Sequence, residues 1–513
     1  MSHLTVWPVF LPLITGFLLI LLRGKGIRYQ RVVSLSAVAG LVALAVASIA
    51  VSLSGHYQVY LLGNWTAPFG IVLVADRASA LMVSITAVLA LAALWYAIAS
   101  NTDENGPHFH VLYQLQLFGL NGAFLTGDLF NLFVFFEVLL LASYGLLLHG
   151  GGRLRTKAGL HYVVINLIGS TLFLFAVGTL YGLLGTLNIA DMAAKIATAP
   201  ADSLGLIAAA GLLLLVVFGV KAAMFPLYLW MPGAYANTSA PVAALFAIMT
   251  KVGIYAIIRV HGTIFGSEAG ELAYYHMPWV LALGLVTLSF AALGVMAARN
   301  LREQITYLVL VSVATLLIGV GLKSSSALSA TLYYLIHSTL IAGAMFLLAD
   351  VILKGRGAFE DRFESAPQLP DAAVIGAVFM FGAVAITGMP PLSGFFGKVL
   401  ILNAALHHEW VAWVFAVLLG TSLLAIMTMA RTGSSIFYRT LPENPSPAAA
   451  AGEPLNRKAF MAIIGLVLAS PVLVICARPV AAFTASTANQ LLDGTTYIEA
   501  VLSAPAVNQP IEE

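Results

Sequence analysis

Four ionisable side chains interrupt long apolar stretches of this 513-residue chain. They are Glu137, Lys221, Lys251 and Lys398. Each stretch has the length and composition of a membrane-spanning helix, and a charge at the centre of a bilayer costs roughly 2.5 kcal/mol or more. Such residues usually face the protein interior and take part in ion chemistry.

A buried lysine beside a movable carboxylate can take up and release a proton. Low dielectric disfavours the charged ammonium, whereas a neighbouring carboxylate favours it. Glu137 is the only carboxylate that the sequence places deep within a span, so we expect it to act on the buried lysines. The alternative is a purely structural ion pair, although buried pairs stabilise helix packing less than apolar contacts do.

His337 lies between two tyrosines and two hydroxyl residues, Ser338 and Thr339. A neutral imidazole can relay a proton, and the alternative is a packed, hydrogen-bonded histidine. Other charges are expected at the ends of spans. Asp76 stands beside Arg77, and Asp350 precedes Lys354 by four residues, the spacing of a helical pair.

The composition places these residues in an all-α polytopic membrane protein. Hydrophobic residues make up 60% of the chain, charged residues make up 9%, and the mean hydropathy is +0.96. A soluble domain carries about 25% charged residues. Apolar runs long enough to cross a bilayer, about 20 residues each, recur from end to end. The first run is expected to be a retained span and not a signal peptide.

The runs predict about fourteen transmembrane helices. Their expected bounds are 4–22, 32–53, 78–100, 109–126, 128–149, 161–185, 205–230, 240–262, 276–298, 304–322, 328–353, 372–406, 410–438 and 459–483. Most of the 24 basic residues fall on the side opposite to the two termini. The positive-inside rule then places both termini on the outer face of a bacterial inner membrane.

Two of the predicted spans are interrupted. The seventh contains Pro226 and Pro232 beyond Lys221, and the twelfth contains Pro390-Pro391 before Lys398. Proline removes a backbone donor and opens a helix. Paired interruptions in oppositely directed spans indicate inverted repeats with an ion site near the midplane.

Spans 4–8 and 9–13 would form two inverted five-helix repeats. The expected division has four parts: N-terminal helices in 1–108, a first proton-channel repeat in 109–262, a second in 276–438, and a C-terminal helix and tail in 459–513.

Several chemistries have no sequence support. Gly397-Lys398 lacks the upstream glycine of a phosphate-binding loop, and valine follows it. No dinucleotide-binding fingerprint is present, and a sole cysteine, Cys476, rules out an all-cysteine iron–sulfur site within the chain. We therefore expect no cofactor, no metal and no nucleic-acid partner, so energy must enter from an ion gradient or from partner subunits.

Five segments resemble the proton-translocating antiporter-like subunits that respiratory complex I shares with Mrp-type multisubunit cation/proton antiporters. The amino-acid sequences of the fifth, eighth and twelfth spans are most similar to those of the Mrp D-type chain. The resemblance covers essentially the whole sequence. The segments are Thr126–Glu137, Val220–Tyr235, Ser239–Phe246, Thr250–Tyr255 and Gly388–Lys398.

The resemblance implies a role for each residue. Glu137 and Lys221 would gate the first half-channel, and Lys251 would pass the proton toward the centre. His337 would connect the halves, and Lys398 would exchange the proton with the second half-channel. Complex I relatives often carry lysine at the position of Ile341, so the central relay here needs water or hydroxyl groups.

These observations favour a proton-conducting subunit of an antiporter for Na⁺ or another monovalent cation, embedded in lipid with other membrane subunits. The cation would move elsewhere in the complex, since sodium prefers several oxygen ligands. One alternative is a membrane subunit of a complex I-like NADH:quinone oxidoreductase or a membrane-bound hydrogenase. A scaffold with structural charges and a transporter that acts alone are two others.

Overall fold

The computed structural model describes residues 2–440 and 452–505 and is dominated by α-helix. In chain order the helices are α1 Trp7–Leu21, α2 Ile27–Ser52, α3 Arg77–Ala99, α4 Phe109–Leu125, α5 Leu129–Leu148, α6 Arg153–Leu184, α7 Ile189–Ile196, α8 Ala201–Lys221, α9 Trp230–Asn237, α10 Ala240–Phe246, α11 Met249–Ala256, α12 Met277–Ala297, α13 Leu301–Gly321, α14 Ser325–Gly355, α15 Ala372–Thr387, α16 Ser393–Ala405, α17 Val411–Phe437, α18 Arg457–Ile475, α19 Ala477–Leu492 and α20 Gly494–Leu502.

Twelve helical segments of the described residues are long and apolar enough to cross a membrane. They correspond to all the predicted spans except the fourth and the twelfth. The fourth is α4, which has 17 residues, and the twelfth is divided between α15 and α16, with 16 and 13 residues. The all-helical, polytopic class is confirmed, whereas the count of fourteen and the inverted repeats stay predictions.

The helices that carry the central charges are also the most enclosed. The segment Ala240–His261, which carries Lys251, is buried along its whole length. Helices α13 and α14 are buried over 94% and 83% of their most apolar windows, whereas α2 and α17 are buried over 22%. Lys251 and His337 therefore lie on core helices, surrounded by more exposed helices whose apolar surfaces suit lipid or partner subunits.

One face of the bundle carries both ends of the described chain. A short antiparallel hairpin lies there, formed by β1 (Gln58–Leu61) and β2 (Val72–Ala75). The C-terminal segment packs on the same face, because the Tyr57 hydroxyl donates to the Gln490 carbonyl and the Arg77 amide donates to the Gln490 side chain. We call this the terminal face. The sequence patterns predicted neither the hairpin nor the helices α19 and α20.

Asp76 lies at the end of a span as expected, but its charge partner is Arg259 and not the neighbouring Arg77. Asp76 caps the N-terminus of α3 through the Ser79 amide, and its second oxygen lies 2.5 Å from an Arg259 guanidinium nitrogen. The two side chains are 1% and 5% exposed. Arg259 belongs to a π-helical turn, Ile257–His261, and also donates to the Tyr255 hydroxyl. The structure thus buries the Asp76 carboxylate, whereas Glu137 is only partly buried.

The opposite face contains a second charge cluster. Arg31 contacts Asp103 and Glu104 at 2.7 and 2.8 Å, and His110 lies 3.0 Å from Asp103. Burial favours the neutral Asp103 carboxyl, but hydrogen bonds from His110 and Arg31 outweigh it and lower the pKa of Asp103. The cluster thus ties the α3–α4 loop to α2. Elsewhere on this face, the predicted pair of Asp350 and Lys354 is confirmed at 2.8 Å.

Candidate functional site

Lys221 is the last residue of α8, where the seventh predicted span is interrupted. The freed backbone groups find side-chain partners: the Trp230 indole donates to the Val220 carbonyl, and the Thr287 hydroxyl accepts from the Phe225 amide. Non-helical backbone at membrane depth is tolerated only with such partners. The interruption is therefore stabilised by specific hydrogen bonds. It places Lys221 at the C-terminal end of a half-helix, where carbonyl dipoles favour a cation.

Two polar residues of α6 stand between Glu137 and Lys221. The Lys221 ammonium donates to the Asn166 side-chain oxygen at 3.1 Å, and the Ser170 hydroxyl donates to the Glu137 carboxylate. Asn166 and Ser170 are one helical turn apart, so they face the same way. The structure thus gives each charged group a neutral partner on α6, and among the described residues Glu137 and Lys221 form no direct ion pair.

Lys251 lies at the centre of the molecule and is fully buried. Its ammonium donates to the Ser312 hydroxyl on α13 at 3.4 Å. The span is irregular on both sides of Lys251, because α10 ends at Phe246 and the π-helical turn follows α11. A cavity lined by Lys221, Asn166 and the Met249 and Val252 side chains lies between Lys221 and α11. The cavity borders the first lysine and the helix that carries the second, but Lys251 itself does not line it.

Hydroxyl groups continue from Lys251 toward α14. Ser312 and Thr315 are one turn apart on α13, and each hydroxyl donates to a carbonyl of its own helix. The Tyr334 ring lies 6.0 Å from the His337 ring, measured between centroids. All four side chains are buried. Buried polar side chains thus occur on both α13 and α14.

Lys398 lies just after the second interruption, between α15 and α16. Its ammonium donates to the carbonyl of Thr387, the last residue of α15, at 2.7 Å and to the Ser422 hydroxyl at 2.9 Å. The end of α15 again supplies carbonyl oxygens that stabilise a cation. Lys398 is 5% exposed and acts electrostatically on His337.

His337 joins the two half-helices of this interruption. One ring nitrogen, Nε2, lies 3.0 Å from the Ala385 carbonyl oxygen near the end of α15. The other, Nδ1, lies 2.7 Å from the hydroxyl of Ser393, the first residue of α16. The Ser393 hydroxyl in turn lies 2.8 Å from the Ser470 hydroxyl on α18. His337 is therefore a packed and fully hydrogen-bonded histidine that also contacts both sides of the break.

Two glycines let the chain come this close to His337 and Lys398. A Cβ atom at Gly394 would lie 2.6 Å from His337 Nε2 and 2.4 Å from the Ala385 carbonyl oxygen. Gly388 has φ +81°, and a Cβ atom there would lie 2.9 Å from the Lys398 side chain. All three distances are shorter than van der Waals contact, so the geometry of this site requires glycine at both positions.

The five residues singled out from the sequence fall into two groups. Glu137, Lys221 and Lys251 lie around one interruption, and His337 and Lys398 lie around the other. The sequence reasoning missed Asn166 and Ser393 as partners of charged or titratable groups; their position inside apolar helices or beside a proline pair was the available signal. Among the described residues, no three His, Cys, Asp or Glu side chains are grouped to hold a metal ion.

A family model described as NADH:quinone oxidoreductase/Mrp antiporter, transmembrane, matches residues 126–425. The chain belongs to this family. The match spans both interruptions and all five candidate residues. The resemblance seen in the sequence is thereby confirmed.

The named relatives extend the similarity to almost the whole chain. The D component of a probable K⁺/H⁺ antiporter of Rhizobium meliloti strain 1021 is 40% identical over 98% of this chain and 98% of its own. The D component of an Na⁺/H⁺ antiporter of Alkalihalophilus pseudofirmus is 35% identical over 98% of this chain and all of its own. Both are named as antiporter subunits, which are transporters and not enzymes.

A solved structure shows the same arrangement of helices. A chain of the Mrp complex from Dietzia sp. DQ12-45-1b superposes with a TM-score of 0.85 at 28% identity, covering 98% of this chain and 99% of that chain. The relatives are therefore components of multisubunit complexes, and other membrane subunits are expected partners.

Proposed function

We propose that this chain is the proton-conducting D-type component of a multisubunit antiporter that exchanges protons for a monovalent cation. Glu137 and Lys221 would admit the proton, Lys251 would carry it inward, and His337 and Lys398 would carry it through the second repeat. The four-part division of the chain and the two inverted repeats belong to the same proposal. Na⁺ or K⁺, the cations in the relatives' names, would be exchanged by the assembled complex.

The main support for this proposal is that each of the three buried lysines binds a neutral oxygen atom. Asn166, Ser312 and Thr387 accept from Lys221, Lys251 and Lys398, respectively. A neutral partner does not trap the ammonium form as a direct carboxylate contact does, so each lysine can release its proton. A purely structural role would favour tightly paired charges instead.

The geometry also suits protons better than metal cations. A sodium ion prefers several oxygen ligands, whereas the lysines present positive charge along the buried axis. We place the face opposite to the terminal face in the cytoplasm, because it carries most of the basic residues of the connections. Both termini would then lie on the outer face of a bacterial inner membrane.

Alanine variants of the three lysines test the proposal. Lys221→Ala, Lys251→Ala and Lys398→Ala should each abolish cation-driven proton transport by the reconstituted complex while the complex still assembles. Full transport by any one of them would contradict the relay. The proteins that co-purify with this chain identify the complex. Small membrane subunits would agree with an antiporter, whereas flavin and iron–sulfur subunits would support the complex I-like alternative.

A further inference from the structure

The partners of His337 determine which of its ring nitrogens carries hydrogen. A carbonyl oxygen can only accept, so Nε2 must donate to Ala385. In a neutral imidazole the other nitrogen has no hydrogen and accepts. The Ser393 hydroxyl, 2.7 Å away, therefore donates to Nδ1.

Ser470 on α18 donates the next hydrogen bond in this series. The Ser393 hydroxyl has a single hydrogen, and His337 receives it. The hydrogen between the two serine oxygens, which are 2.8 Å apart, must therefore come from Ser470. The Ser393 amide also donates to the Ser470 hydroxyl oxygen at 3.3 Å. Hydrogen bonds thus run in one direction, from Ser470 to Ser393, to His337 and to Ala385.

A proton on His337 would reverse the serine part of this chain. Both nitrogens of a protonated imidazole donate, so Nδ1 would donate to Ser393. The Ser393 hydroxyl would then turn to donate to Ser470, and Ser470 would turn its own hydrogen away. One N–H bond forms at Nδ1, and no O–H bond breaks. The orientation of two hydroxyls, up to α18, therefore follows the charge of His337.

We propose that Ser393 and Ser470 are positioning residues that keep Nδ1 of His337 as the proton acceptor and transmit the proton occupancy of His337 to α18. This inference rests on the proposed relay role of His337. The charged group that acts on the ring is Lys398, and Tyr334 is the titratable neighbour on α14. Helix α15 contains no ionisable residue, and those of α18 lie in its first turn, far from Ser470.

Serine variants of the complete complex, reconstituted in vesicles, test the inference. Ser470→Ala should lower the maximal rate of cation/proton exchange about fivefold to tenfold, the effect of one lost hydrogen bond, without changing the apparent KM for the cation. Ser470→Thr keeps the hydroxyl and should restore the rate to within about twofold of the unsubstituted complex. Ser393→Ala should lower the rate as Ser470→Ala does.

Ser338→Ala is the matched control. Ser338 is buried, stands next to His337, and donates only to a carbonyl of its own helix, so its loss should leave the rate unchanged. An unchanged rate in Ser470→Ala, a loss that Ser470→Thr does not recover, or an equal loss in Ser338→Ala would overturn the inference.

His337→Ala separates this inference from the relay itself. Full exchange in His337→Ala would remove His337 from the proposed function. Lost exchange in His337→Ala together with a normal rate in Ser470→Ala would leave the relay intact and reject the serine chain alone.

Discussion

The two halves of the polar axis stabilise a buried lysine in different ways. In the first half, Lys221 binds Asn166, and the Glu137 carboxylate binds Ser170, one turn away on the same helix α6. In the second half, Lys398 binds the Thr387 carbonyl and the Ser422 hydroxyl, and the interruption also holds His337. Both lysines lie at the end of a half-helix, but only in the first half does a carboxylate lie near the lysine without contacting it, whereas the second lysine donates directly to a helix-end carbonyl. In the first half, a movable carboxylate could therefore control the protonation of Lys221. In the second half, Lys398 could exchange a proton with the His337 imidazole.

The first half also contains Arg259, whose guanidinium forms a buried ion pair with Asp76. We therefore expect loss of a carboxylate to destabilise the first half more than the second. Asp76→Ala would leave the Arg259 guanidinium buried and unpaired. We expect it to lower the free energy of unfolding by about 3–5 kcal/mol, measured by denaturant titration of the purified complex. Asp191→Ala is the control: its partner Lys195 is 40% exposed, and such a pair contributes about 1 kcal/mol or less. Equal effects of the two variants would contradict this view of the first half.

Glu137→Gln tests the role of the distant carboxylate. The amide keeps the shape and can still bind Ser170, but it carries no charge to act on Lys221. We expect the exchange rate to fall about tenfold or more, roughly 1.4 kcal/mol in the barrier, without loss of assembly. Exchange at the normal rate would show that the first half works without its carboxylate, and would favour a scaffold role for these charges.

Gly388→Ala tests the second half, where backbone geometry replaces charge. The left-handed backbone at Gly388 costs a residue with a Cβ atom about 1–2 kcal/mol, and that atom would press on Lys398. We expect a lower unfolding free energy by that amount and a slower exchange. Gly178→Ala on α6 is the control, because a Cβ atom there has no neighbour within 4 Å. If both variants behave alike, the close approach at Gly388 is unimportant.

Ser422→Ala should have the smallest effect. It removes one of two hydrogen bonds to Lys398 and leaves the stronger contact with Thr387. We expect a decrease of the exchange rate of about threefold to tenfold, because the remaining carbonyl still holds the ammonium. Complete loss of exchange would instead make Ser422 an essential part of the second half-channel.

Local sequence pattern was enough to find the long apolar helices, the interruptions and the charged residues. Charges within apolar runs and prolines near Lys221 and Lys398 are visible within a few residues of the chain. The Asp76–Arg259 pair joins residues 183 positions apart, and the Ser393–Ser470 contact joins residues 77 positions apart. Such pairings arise from packing between distant helices, which periodicity does not encode. The short hairpin was missed because its four-residue strands lie in a connection rich in turn residues.

The arrangement at Glu137 and Lys221 shows the same limit. The resemblance implied that Glu137 and Lys221 act together at the first half-channel, but only the packing of α6 reveals that they bind Ser170 and Asn166, respectively. The sequence identified Glu137 and Lys221, and the structure showed which side chains each of them contacts. That arrangement makes a movable carboxylate, and not a permanent ion pair, the feature to test.

The most direct test of proton passage through the lysines is cation-driven proton transport by the reconstituted complex carrying Lys251→Arg. Arginine keeps the positive charge at the centre of the molecule but does not release a proton in proteins. The relay predicts assembly without exchange, at less than about one-tenth of the normal rate. Exchange at the normal rate would show that a fixed charge suffices at position 251, and would contradict the relay.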